Sequence, residues 1–77
     1  MRKSEEISNP NSCLNRAKDN ELLFTLRGSD ETAPAVIREW VRQRLALGKN
    51  KPDDPQIDEA LSCAETMHYE RIAGLYK

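Results

Sequence analysis

Gly28-Ser29-Asp30-Glu31-Thr32-Ala33-Pro34-Ala35-Val36-Ile37-Arg38-Glu39-Trp40-Val41-Arg42-Gln43-Arg44-Leu45-Ala46-Leu47-Gly48 is the stretch on which the fold turns. Ser29, Asp30 and Thr32 are residues that favour helix caps, and the acidic side chains beside them suit a helix N-terminus. Pro34 fits a first turn, where its missing N–H has no intrahelical partner to lose. The pattern predicts a helix starting close to Thr32. Ala33, Val36, Ile37, Trp40, Val41, Arg44 and Leu45 recur at helical spacing, which puts an apolar face along its length. Gly48 is a C-terminal cap.

Beyond that cap, Lys49-Asn50-Lys51-Pro52 is a polar linker, and Asp53-Asp54-Pro55-Gln56 opens a second amphipathic helix. Asp53 and Gln56 stand at capping-box spacing, with Pro55 in the first turn. Ile57, Ala60, Leu61, Ala64, Met67, His68, Ile72 and Leu75 form its stripe, which is expected to run to about Ala73. Gly74 is expected to fray it and leave Tyr76 and Lys77 mobile. A short linker between two such helices favours an antiparallel hairpin, with Ile37, Trp40, Val41 and Leu45 facing Ile57, Leu61, Ala64 and Met67. With its indole wedged in that seam, Trp40→Ala is expected to cost ~3–5 kcal/mol.

Upstream, Leu22-Leu23-Phe24-Thr25-Leu26 is an apolar run too short for periodicity to decide between strand and helix. We read it as an extended arm, tucked across the helices or paired with another chain, because no second β-type run exists to pair with it. Ser12 caps a short helical turn carrying Cys13, Leu14 and Ala17, ending by Asp19-Asn20. Residues 1–11 hold only Ile7 as a large apolar side chain and are expected to be a mobile tail, leaving 12–77 as one domain. The fold class is therefore mostly all-α, a small helical hairpin or three-helix domain with an apolar arm before the main helices.

With 77 residues, a second core is excluded, and stability is expected to be marginal unless a partner or a second copy covers apolar surface, which makes a homodimer attractive. Twelve basic against thirteen acidic residues give a net charge of −1, so no global field draws in nucleic acid or acidic membranes. No apolar run reaches membrane-span length and no signal core follows Met1-Arg2-Lys3, so a cytoplasmic location is expected. Cys13 and Cys63 form no C-x-x-C unit and are read as free thiols.

No catalytic constellation, cofactor motif or metal site is expected. His68 lies five residues beyond Cys63 on one helix, more than ~100° away around the axis, so a Cys–His dyad is disfavoured. Asp53, Asp54, Asp58 and Glu59 suit a helix N-terminus and lack the glycine and alternating ligands of a calcium loop. Arg38 and Arg42 share one helix face, with Arg27 as a further basic candidate, and could meet phosphates. Glu39 and Gln43 dilute that face, and nucleic acid is not favoured. The candidate binding residues are thus Leu22 and Phe24 on the arm with Arg27, Arg38 and Arg42.

The order L-F-x-L-R-G-x-D at residues 23–30, I-R-x-W at 37–40 and E-A-L-x-x-A-x-x-M at 59–67 resembles small orphan proteins carried by proteobacterial phages and prophages. Cys13-Leu14 and Ala17 resemble their opening, so the likeness spans most of residues 13–67. The resemblance implies a non-enzymatic accessory protein that binds and blocks a host protein or complex, including CRISPR and other defence machinery. A small DNA-binding regulator using Arg38 and Arg42 is the alternative. A protein that sequesters a nucleotide signal in a polar pocket is a further one.

Overall fold

The structure, a computed structural model, describes residues 1–76. It is all-α, with four helical segments in chain order: α1 (Lys3–Ser8), the single turn α2 (Cys13–Arg16), α3 (Ala33–Ala46) and α4 (Pro55–Ile72). The main packing is α3 on α4, the expected hairpin, and α1 on α2 forms a smaller unit. Residues 21–27 carry no regular secondary structure.

Helix α3 begins where its cap residues place it. Asp30 accepts from both the backbone N–H (2.8 Å) and the hydroxyl (2.7 Å) of Thr32, the N-cap, and Pro34 lies in the first turn. Both long helices end on the same device. Gly48 (φ 69°) and Gly74 (φ 77°) take the left-handed conformation that a side chain disfavours. The N–H of Gly48 then reaches Leu45 O and that of Lys49 reaches Arg44 O; Gly74 to Arg71 O and Leu75 to Glu70 O repeat the pattern. Gly74 therefore does not fray α4, as expected from sequence; it stops the helix and turns Tyr76 back. Lys77, grouped with it as mobile, lies outside the described residues.

The start of α4 departs from the expected capping box. Its N-cap is Asp54 rather than Asp53. The Asp54 carboxylate faces backwards, accepting from Lys51 N–H (2.9 Å) and Asn50 Nδ2 (3.1 Å). Asn50 also donates to Gln56 Oε1 (3.0 Å) and accepts from Arg44 Nε (2.6 Å). One asparagine thus ties the end of α3 to the start of α4, and the pull of Asn50 on both Asp54 and Gln56 displaces the reciprocal cap.

The buried apolar side chains of the hairpin are small or β-branched: Ala33, Pro34, Val41, Ile57 and Ala64. Ile37, Leu45 and Met67 are half-buried, whereas Leu61 is exposed. Trp40, expected at the centre, is 38 % exposed. Ala33 and Ala64, both wholly hidden from solvent, take sheltered positions on the two helices, and the indole is left at the edge of the seam. The ring instead lies one helical step round from Val41, with the Arg44 guanidinium 5.5 Å from its centroid.

Residues 1–11, read as a mobile tail, instead hold a helix and a polar lock. The hydroxyl of Ser12, the only buried polar residue among the described residues, donates to Glu6 O (2.6 Å) and accepts from Asn15 N–H (3.1 Å). The Asn15 side-chain amide donates to Ile7 O (2.8 Å) and Asn9 O (2.9 Å), carbonyls that a helix end leaves without intrahelical partners. Glu6 returns the favour by accepting from Leu14 N–H (2.9 Å). A count of apolar side chains misses this unit because its stability comes from side chain–backbone hydrogen bonds.

Candidate functional site

Residues 22–26 run from the α1–α2 unit toward the start of α3, beside a groove of about 1130 Å³ closed on its far side by α4. Phe24, Leu26 and Arg27 line that groove together with Cys63 and Met67. The arm is only partly tucked: Leu26 is half-buried and Leu23 is 49 % exposed, but Leu22 is 97 % and Phe24 87 % exposed. Among the described residues, no backbone N–H or carbonyl of residues 22–26 hydrogen-bonds to the protein. The structure thus presents two bare apolar side chains on an unpaired stretch of backbone.

The arm is anchored at its C-terminal end by a contact joining the two ends of the chain. Arg2 grips Glu70 through two parallel hydrogen bonds, Nη1 to Oε1 at 2.6 Å and Nη2 to Oε2 at 2.8 Å. The Tyr76 hydroxyl donates to the same Oε1 (2.5 Å). These donors hold the Glu70 carboxyl at about 2, against an ordinary 4.5, and the Tyr76 phenol is pushed up because its proton is needed to reach Glu70. The Tyr76 ring lies over Gly28, so near that a Cβ on Gly28 would fall 2.7 Å from the hydroxyl oxygen. Arg2, Glu70 and Tyr76 went unread in the sequence, where nothing links positions 68 apart. The one local signal was Gly74, read as fraying instead of as a turn.

Arg38 and Arg42 do share the exposed face of α3, but they are not equivalent. Arg42 is paired with Glu39 through Nε (2.8 Å) and Nη2, and this contact brings the Glu39 carboxyl down to about 2. Gln43 adds a further hydrogen bond to Glu39. Arg38 makes no ion pair among the described residues, and Arg27 belongs to the groove, not to this face. The structure therefore brings Phe24 and Arg27 into one groove and places Arg38 and Arg42 on another element. One of those two arginines is already neutralised by its neighbour, which weakens a phosphate-binding face.

Cys13 is exposed and Cys63 half-buried, and both are free thiols. His68 stands edge-on to Tyr69, with ring centroids 5.8 Å apart. No helix among the described residues is long and apolar enough to cross a membrane. The chain matches no family model, no curated protein and no solved structure.

Proposed function

We propose that the chain is a small protein-binding accessory protein without catalytic activity. In keeping with its resemblance to phage and prophage proteins, we assign it the role of inhibiting a host defence complex, in the manner of an anti-CRISPR. One observation carries the binding part of this reading: Leu22 and Phe24 project into solvent from a backbone segment with no hydrogen-bond partners. Apolar side chains combined with an unpaired backbone are what a partner needs to recruit a segment onto the edge of its own sheet. The host protein would supply the ladder, and its pockets would take the two side chains. The phosphate-binding alternative has less support, since Arg42 is already held by Glu39.

The reading is tested by the plating efficiency of a targeted phage on a host with an active interference system, with and without the chain expressed in that host. Expression is expected to raise plating by orders of magnitude. Phe24→Asp, a change at an 87 % exposed position that leaves the fold intact, is expected to abolish the effect. Unchanged plating with the wild-type chain, across hosts carrying different defence systems, defeats the inhibitor role. Protection that persists in Phe24→Asp removes the arm from it.

A further inference from the structure

The folded chain covers too little of itself. Its accessible surface is 6372 Å², whereas a monomer of 8.8 kDa is expected to expose roughly 4,800 Å². Its radius of gyration, 13.3 Å, likewise exceeds the ~11.5 Å expected for this length. The excess of roughly 1,600 Å² on one chain is about twice the ~800 Å² that each partner of a standard protein interface withdraws from solvent.

The arm has the symmetry that a contact between identical chains requires. In an extended ribbon alternate residues share a face, which would set Leu22, Phe24 and Leu26 on one side and Leu23 and Thr25 on the other. Laid antiparallel against a second copy with Phe24 opposite Phe24, Leu22 meets Leu26 and Leu23 meets Thr25. Every pair on the first face is apolar. The next residues outward are Glu21 and Arg27, which this register places opposite each other, twice, once on each side of the two-fold axis. A slip of one residue sets Phe24 against Thr25 or Leu23 and sends the apolar set to different faces, and it breaks both charge pairs. Glu21 and Arg27 are both exposed, and neither forms an ion pair within the chain among the described residues.

We propose that the free protein is a symmetric homodimer in which residues 22–26 of two copies pair as an antiparallel ribbon centred on Phe24, closed at each end by a Glu21–Arg27 ion pair. The occupant of the exposed arm is a second copy of this chain. Pairing satisfies backbone groups that are unpartnered in the single chain and removes Leu22 and Phe24 from water. The inference goes beyond the host-binding role: a host sheet edge would exchange one β partner for another, but the dimer forms without it.

Sedimentation velocity of the purified full chain from about 1 to 100 µM tests this, and it contains no host component. The wild-type chain is expected to sediment at twice its 8.8 kDa mass in the upper part of that range. Phe24→Asp sets two carboxylates face to face on the axis and is expected to leave a monomer. Glu21→Arg and Arg27→Glu each place like charges opposite one another and are expected to weaken the dimer roughly tenfold or more. Mixing those two variants restores opposite charges at both ends, so the mixture is expected to form a heterodimer that neither forms alone. Unchanged far-UV dichroism in each variant separates loss of pairing from loss of fold. A wild-type chain monomeric throughout the range overturns the proposal. So does a dimer indifferent to Phe24→Asp, or a mixture no stronger than its components. A monomeric wild-type chain leaves the host-binding role standing, and a negative plating result leaves the dimer standing.

Discussion

In the α3–α4 hairpin the side chains hidden from solvent include Ala33, Val41, Ile57 and Ala64, whereas in residues 1–32 the one buried residue is Ser12. The first region is held by apolar area withdrawn from water, and the second by hydroxyl, amide and carboxylate groups that close helix ends. The difference decides how each should fail. Burial is non-directional and shared among neighbours, so its loss spreads through the whole hairpin. A capping hydrogen bond is local and directional, so its loss opens only the turn it closes.

The largest expected effect lies in the seam. Ile57 is 2 % exposed, and Ile57→Ala should cost about 2–4 kcal/mol through lost transfer energy and the cavity left behind. A chain of this length has only roughly 4–11 kcal/mol of stability in total, so thermal melting should move down by roughly 8–30 degrees. Trp40→Ala is the informative companion. With the ring 38 % exposed and resting against Arg44, its removal should cost about 1–2 kcal/mol instead of the ~3–5 of a core indole. Urea melts of the two variants measure the difference. Equal losses would mean that the tryptophan supports the seam after all.

Smaller and more local is the effect of Ser12→Ala. It removes one donor to Glu6 O and one acceptor from Asn15 N–H, a change worth about 1 kcal/mol. Amide exchange at Leu14, Asn15 and Ala17 should quicken about five- to tenfold, while exchange inside α3 and α4 stays as it was. Acceleration throughout the chain would show that the two regions unfold as one unit.

The hairpin was legible in the sequence because its signals are periodic and local: helical spacing from Ala33 to Leu45, a proline in each first turn and Gly48 past the end of α3. What escaped was packing. Periodicity ranks Trp40 with Val41 as apolar, but does not say which of two neighbours on a helix is buried in the seam. The α1–α2 lock escaped for another reason. Ser12 was legible as a cap, yet the dependence of Glu6, Ile7 and Asn9 on Asn15 is a matter of folded geometry, and a tally of apolar residues scores it as nothing. For the candidate site, the arm was visible as an apolar run, but only the fold separates exposed Leu22 and Phe24 from half-buried Leu26.

The Arg2–Glu70 contact between the two regions is open to pH. Glu70, with a side chain 16 % exposed, titrates at about 2 when folded against 4.5 ordinarily, first because Arg2 donates to it and then because Tyr76 does. A carboxyl lowered on folding contributes fully above its unfolded value, and the contribution fades as pH falls from 4.5 toward 2. Arg2 keeps its charge across this window, so the loss belongs to Glu70. Glu39 titrates in the same range, but its partners Arg42 and Gln43 lie on its own helix, so its protonation frees nothing between regions. Carboxyl chemical shifts followed by NMR separate the two: Arg2→Gln should return Glu70 toward its ordinary range and leave Glu39 low. In the wild-type chain, acidification through this window should free residues 1–8 before the hairpin melts, and salt should weaken the exposed Arg2 contact in the same direction. If Glu70 titrates normally in the wild-type chain, Arg2 does not clasp it, and the polar unit is tied to the apolar one by the loop through residues 17–32 and the 3.6 Å pair of the Met1 ammonium with Glu59.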